Sequence, residues 1–245
     1  MTNNVDLSIV IPSFKDSEAL KKNLHFLIDF LQTQQYTFEI IIADDGSEDQ
    51  GMTKEIAQNF NCIYTYTKKN FGKGSSIRQG MQIAQGKYRI FTDADIPYDL
   101  RAIEKIMHHL SVQEYDLVIG DRTLPDSKYY TEISKLRKTA SKIYSFVVGR
   151  FIAGGMFDTQ CGIKGFNEKS ATNIFGLTRI NGFACDVEIL YIALKKNYDI
   201  KKIPVQLRSQ DGKTVHIAKH TPGMLIDLFK IISNFYRKKY KEKNV

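Results

Sequence analysis

The sequence predicts an α/β protein built on a mainly parallel sheet with helices on both faces. Three observations lead there. Strand and helix patterns alternate five times within the first 120 residues, the arrangement that parallel sheets require. The strands read as short, continuous β-branched runs, as expected of strands buried on both faces. Polar and acidic clusters stand directly after those runs, where ligands of such sheets bind.

Taken in order, Leu7-Ser8-Ile9-Val10-Ile11 is a buried strand ending at Pro12. Residues 18–32 place Leu20, Leu24, Leu27, Ile28 and Leu31 at helical spacing. Phe38–Ala43 is the second strand, followed by Asp44-Asp45-Gly46-Ser47. A short helix, a strand at Cys62–Thr67, a glycine-punctuated loop and a helix over 74–85 come next. Tyr88–Thr92 is a strand, 99–110 a helix and Asp116–Gly120 another strand. A long helix is predicted over 132–153, with Leu136, Ala140, Ile143, Val147 and Phe151 on one side and Lys135, Lys138 and Lys142 roughly opposite. A strand around Gly162–Phe166, a helix over 184–196 and a strand at Ile200–Leu207 follow. The last helix is expected to start at Thr221, a cap, and Pro222, suited to a first helical position. Its apolar face would be Leu225, Leu228, Phe229, Ile232, Phe235 and Tyr236. The organisation expected is one compact unit, residues 1–221, completed by a basic amphipathic helix at 222–245.

Bulk properties narrow the function classes. No run reaches the roughly 18 apolar residues of a membrane span, and the N-terminus lacks the pattern of a signal peptide. Cys62, Cys161 and Cys185 are odd in number and far apart, against a disulfide framework or zinc cluster and in keeping with a reducing cytoplasm. Charge is unevenly placed. Residues 1–200 hold 24 basic and 24 acidic residues, whereas 201–245 hold 11 and 3. A basic end on a neutral body points to an anionic partner, with a solvated tail as the bland alternative. Nucleic acid is disfavoured, because the acidic strand ends would repel a polyanion.

Asp93-Ala94-Asp95 follows directly on a strand. Two carboxylates two residues apart can share a hard divalent cation that also bridges phosphates. A lone Asp-x-Asp reads equally as helix-capping loop, but the second acidic strand end at Asp44-Asp45 strengthens the metal reading. Asn70-Phe71-Gly72-Lys73-Gly74 through Gly80 fails both the P-loop and the dinucleotide patterns. What remains is a turn, two cations (Lys73 and Arg78) and a helix N-terminus, a combination suited to a pyrophosphate.

Together these segments resemble the inverting glycosyltransferases of family two, with the Rossmann-like GT-A fold. The matching pieces are Ile11-Pro12 with Asp16, Asp44-Asp45-Gly46-Ser47, the Asn70-x-Gly72-Lys73-Gly74-x-x-x-Arg78-x-Gly80 stretch and Asp93-Ala94-Asp95. Gly120-Asp121-Arg122, Asp158 through Phe166, and Phe183-x-x-Asp186-Val187-Glu188 resemble the polyprenyl- and dolichyl-phosphate sugar synthases within it. The Asn-x-Gly-Lys-Gly form resembles dolichyl-phosphate glucosyltransferases more than the mannose enzymes. The resemblance implies that Pro12, Asp16, Asp44, Asp45, Lys73, Arg78, Asp93 and Ala94 bind the nucleotide-sugar. It also implies that Asp93 and Asp95 hold Mg²⁺ or Mn²⁺, and that Arg122, Arg137 and Lys164 meet the acceptor phosphate. Asp93, Asp95 and Arg122 are then the catalytic set. Asp16 stands in place of the usual Glu, Pro97 replaces the Gln metal ligand of mannose synthases, and the C-terminal membrane helices of many bacterial relatives are not found.

The implied reaction takes a hexose, favoured as glucose from UDP-glucose, to a polyprenyl or dolichyl phosphate. Such an acceptor is anionic at neutral pH and needs no general base. A GDP-mannose-using enzyme, or one acting on a glycan hydroxyl with Asp186 or Glu188 as base, are the alternatives; on a helix those two acids read more simply as polar anchors. The lipid must be met at the bilayer, so the protein is expected to be cytoplasmic and peripheral on the cytoplasmic face. The basic helices at 132–153 and 222–243 would lie on the anionic surface, each cation contributing about 1 kcal/mol.

Overall fold

The computed structural model describes residues 5–128, 144–208 and 217–241, with side chains from 223 onward in the last stretch. One seven-stranded sheet organises the chain, in the order β3-β2-β1-β4-β6-β5-β7. Its strands are β1 (Leu7–Ser13), β2 (Phe38–Asp44), β3 (Ile63–Tyr66), β4 (Tyr88–Thr92), β5 (Leu117–Asp121), β6 (Ile163–Asn167) and β7 (Ile200–Pro204). All neighbours run parallel except β6, which is antiparallel to β4 and β5. The helices are α1 (Ser17–Gln32), α2 (Met52–Asn59), α3 (Lys73–Ile83), α4 (Arg101–Ser111), α5 (144–151), α6 (Glu168–Leu177), α7 (Cys185–Lys195) and α8 (Ile217–Tyr236).

Strand alternation sorts the core into two layers. Leu7, Ile9 and Ile11 of β1 point to one face with α1 and α4, where Leu20, Leu24, Leu27, Ile103 and Ile106 cover them. Val10, Phe91 and Phe166 point to the other, under Ile77 of α3, Ile174 of α6, Leu190 of α7 and Ile231 of α8. Burying each such side chain stabilises the fold by roughly 1.5–3 kcal/mol. Both faces of the central strands are therefore covered, and among the described residues the acidic strand ends lie at the carboxyl edge. There β1 and β2 end in register, Ser13 opposite Asp44. Since β6 runs backwards, its first residue Ile163 lies opposite Thr92, the last of β4. The segment entering β6 consequently arrives at the same edge as the acidic strand ends.

Several expectations are corrected. The helix α6 was not foreseen, although Asn167 caps it by accepting the Ser170 N–H at 2.8 Å. β7 stops at Pro204, which has no N–H to extend the ladder; beyond it Leu207 makes a single bridge to Tyr98. α8 starts at Ile217, so Thr221 and Pro222 lie within it rather than at its start. Its apolar face also divides. Leu228 and Ile231 are buried, with Ile232 and Phe235 half-buried against them, while Leu225, Ile226, Phe229 and Tyr236 are exposed. α5 and the residue after it behave likewise: Val148 and Ile152 face the core, whereas Phe146, Val147 and Phe151 face out. Apolar residues cover more than one side of each helix, and only packing decides which side is inward. Leu136, Ala140, Ile143, Lys135, Lys138 and Lys142 lie outside the described residues. No described helix is long and apolar enough to cross a membrane.

Candidate active site

Each candidate side chain is set by the strand or turn that carries it. Asp44 closes β2 and is buried; its Oδ1 accepts the Ser47 N–H at 2.8 Å and its Oδ2 the Tyr64 hydroxyl at 2.8 Å. Asp45 is also buried and points the other way along the edge. It accepts the N–H groups of Phe71 at 3.0 Å and Gly72 at 2.6 Å. The second aspartate thus pins the 70–74 turn to the end of β2. Gly72 adopts φ +113, a region open to glycine, and a Cβ there would strike the Asn181 carbonyl. Pro12 is buried in β1 opposite Ala43, and Asp16 ends the loop that leads into α1.

The turn delivers Lys73 to the first position of α3. Its ammonium lies 2.6 Å from Asp93 Oδ1, and both side chains are partly open, at 18% and 34% exposure. Burial disfavours the lysine's charge, but Asp93 and then Asp186 hold its pKa above the ordinary value. Asp93 follows β4 directly, as does Asp95 two residues on. Burial, and then the Asp93 carboxylate, pushes the Asp95 carboxyl up to about 6, with Asp16 adding in the same direction. Among the described residues no side chain donates a hydrogen bond to Asp95. A concentration of carboxylate oxygens with too little positive charge suits a hard divalent cation. Lys73 takes one oxygen of Asp93, so the other and Asp95 are the atoms that fit such an ion. Among the described residues no group of three or more His, Cys, Asp or Glu side chains forms a metal cluster.

Gly162 lets β6 pass beside this carboxylate. A Cβ at that position would overlap the Asp93 side chain, which explains a glycine just before β6. Ala94, between the two acids, is buried.

On the far side of β6 lies Arg122, just after β5. It forks onto Asp158, with Nε to Oδ2 at 2.8 Å and Nη2 to Oδ1 at 2.6 Å, and its backbone N–H donates to Oδ2 at 2.7 Å. Burial alone would raise the Asp158 carboxyl; the Arg122 fork holds it below its usual value. Arg122 keeps 26% of its side chain open. A cation fixed by a buried carboxylate yet reachable from outside is suited to receive a phosphate.

Three predicted residues stand differently. Lys164 is fully buried, its ammonium bonded to the Cys161 carbonyl at 2.8 Å and paired with Asp186. The structure therefore makes it half of a buried ion pair beneath the site instead of an open phosphate contact. Arg78 lies a helical turn from Lys73 and turns away, donating to Asn181 Oδ1, with its Nη1 buried and unpartnered. It braces the loop over 178–182 against α3. Arg137 lies outside the described residues. Asp186 and Glu188, weighed as bases, are both committed: Asp186 to Lys164, and Glu188 to the N–H groups of Arg179 and Ile180 and the hydroxyl of Tyr240. Sequence reasoning missed Asn181 and Tyr240, neither of which stands in a recognisable spacing.

Comparison with known proteins bears on this arrangement. The model of the glycosyl transferase family 2 matches residues 8–175. A dolichyl-phosphate beta-glucosyltransferase of Dictyostelium discoideum is 31% identical, over 94% of this chain and 74% of its own length. The Saccharomyces cerevisiae protein of the same name is 32% identical over 91% of this chain and 72% of its own. Among solved structures, glucosyl-3-phosphoglycerate synthase from Mycobacterium tuberculosis, in complex with Mn²⁺, UDP and glucosyl-3-phosphoglycerate, superposes with a TM-score of 0.68 at 13% identity. The match covers 93% of this chain and 80% of that one, a likeness of fold.

Proposed function

Because the chain belongs to glycosyl transferase family 2, we propose that it moves glucose from UDP-glucose to dolichyl phosphate. The observation that carries this reading is the meeting of Lys73 with Asp93, 2.6 Å apart at the carboxyl edge. It puts a cation, a helix N-terminus and an acidic strand end at one point, as a sugar diphosphate needs. The likeness to the Dictyostelium and yeast dolichyl-phosphate beta-glucosyltransferases supports glucose and a dolichyl acceptor. That the Mycobacterium synthase was solved with Mn²⁺ and UDP supports a divalent cation and a uridine donor.

In this mechanism the acceptor phosphate is its own nucleophile. It attacks the anomeric carbon from the side opposite the UDP, the carbon–oxygen bond to UDP breaks with its electron pair, and the configuration inverts. No proton has to be removed, in keeping with the fully committed Asp186 and Glu188. Lys73, at the first position of α3, opposes the charge gathering on the departing diphosphate. Arg122, oriented by Asp158, holds the acceptor phosphate in line. A divalent cation, when bound by Asp93 and Asp95, supplies further stabilisation of that diphosphate. We further propose that the protein is peripheral, meeting its lipid through the exposed apolar residues of α5 and α8 and the basic residues after Tyr236. The test is incubation with radiolabelled UDP-glucose and dolichyl phosphate, followed by thin-layer separation of the lipid extract. A labelled glycolipid that is cleaved by mild acid is expected; label confined to water-soluble products refutes the reading.

A further inference from the structure

Tyr240 stands four residues beyond α8, in a stretch where Arg237, Lys238, Lys239 and Lys241 are exposed, yet it is only 7% exposed itself. Its hydroxyl donates to Glu188 Oε1 at 2.6 Å, and Asn234 also reaches that hydroxyl. Glu188, on α7, is fully buried. Its carboxylate accepts the Arg179 N–H at 2.9 Å and the Ile180 N–H at 2.8 Å. One residue on, the Asn181 carbonyl accepts the Gly74 N–H at 2.7 Å and the Ser75 N–H at 3.3 Å, while its side chain takes Arg78. Those amides form the first turn of α3, which begins with Lys73.

The contacts make one continuous line from the tail to the site. It has little slack, since a Cβ on Gly72 or on Gly74 would run into the Asn181 carbonyl or that of Ile180. We propose that Tyr240 and Glu188 are positioning residues for the turn that receives the donor's diphosphate. The tail closes on Glu188, Glu188 fixes the amides of Arg179 and Ile180, and the next residue, Asn181, sets the first turn of α3 and with it Lys73. The inference rests on the donor site proposed above. Burial raises the Glu188 carboxyl, and the Tyr240 hydroxyl, the two amides and the Arg78 guanidinium oppose that rise. Removing the hydroxyl leaves a buried acceptor short of a donor, which loosens what the carboxylate holds.

Hydrogen exchange on the whole protein tests this, comparing Tyr240→Phe with Tyr198→Phe. The second variant also removes one hydroxyl, bonded to Asn173 at 2.9 Å in the same layer, and serves as the structural control. In Tyr240→Phe the amides of Gly74 and Ser75 should exchange about tenfold faster, the scale of one lost hydrogen bond to a charged group. UDP affinity by calorimetry should fall by a similar factor. Tyr198→Phe should change neither. If Tyr240→Phe does not fold, Asn234→Ala, which loosens the same hydroxyl, should show a smaller acceleration at the same two amides. Wild-type exchange at Gly74 and Ser75 would overturn the proposal, even with Arg179 and Ile180 accelerated. A protein that transfers no glucose but shows the linked exchange contradicts the function and leaves the coupling standing.

Discussion

Lys73 Nζ lies 2.6 Å from Asp93 Oδ1 and thereby ties the first turn of α3 to the end of β4. The two elements come from neighbouring strand–helix units and meet because β1 and β4 pair in the sheet, with α3 packed across β1. Around this contact the charge is incompletely balanced. Asp95 and Asp16 add negative charge on one side, and Asp186 adds it beneath.

The Asp95 carboxyl, raised to about 6 from an ordinary 3.8, carries a stability penalty of known sign. A raised acid is stabilising to the fold only while protonated, so that contribution is lost as pH climbs from about 4 to 6. Asp95→Asn should therefore raise the melting temperature of the metal-free protein at pH 7 and flatten its dependence over that window. The same variant should abolish transfer, and Mn²⁺ affinity of the native protein should drop as pH falls below about 6. Melting curves, transfer assays and metal titration check the three outcomes.

Gly162→Ala places a methyl group where the Asp93 carboxylate stands. A displacement of about 1 Å in a catalytic group costs about a hundredfold in rate, and that loss is expected here. Fold content by circular dichroism should be unchanged, which separates the effect from unfolding.

Arg122→Lys keeps the charge and loses the fork onto Asp158. A single ammonium cannot satisfy both oxygens of a carboxylate and a phosphate at once. KM for dolichyl phosphate should rise about tenfold, on the order of one charge-assisted hydrogen bond, with KM for UDP-glucose little changed. Asp186→Ala acts differently. It leaves Lys164 charged and buried without a counter-charge, at a cost of about 3–5 kcal/mol, visible as a large fall in denaturant midpoint.

The basic tail requires a gentler change than truncation, because Tyr240 is buried within it. Replacing Arg237, Lys238, Lys239 and Lys241 by Gln keeps Tyr240 and removes the exposed charge. Flotation with anionic vesicles should weaken, and transfer to long prenyl phosphates should slow. A short, water-soluble prenyl phosphate should be used as before. Native attachment should also weaken with salt, since exposed charges are screened beyond about 8 Å at physiological ionic strength. Equal flotation of the two proteins would make the tail a solvated end.

Much of this frame was legible because buried strands and amphipathic helices leave different periods. β1, β2, β4 and α1 were readable within a residue or two, and the acidic strand ends marked the carboxyl edge. The direction of β6 was not readable, since the residues of a short strand look alike in either orientation. The phosphate role of Lys164 is implied by the family resemblance alone, and no local pattern in the sequence shows that the side chain is buried. Its burial depends on Asp186, which lies 22 residues away and meets it only in the folded chain. The inward faces of α5 and α8 failed for a related reason, each helix carrying apolar residues on two sides. Tyr240 was hidden by its basic neighbours, which made the whole stretch look solvated.

Competition between donors at one acceptor separates glucose transfer from mannose transfer. The protein is given dolichyl phosphate, Mn²⁺ and equal amounts of radiolabelled UDP-glucose and GDP-mannose, and the sugar in the lipid product is identified. Dolichyl-phosphate glucose of inverted configuration is expected, lost on chelation with EDTA and restored by Mn²⁺. Mannose in the lipid product, or undiminished glucose transfer in excess EDTA, would contradict the proposed reaction.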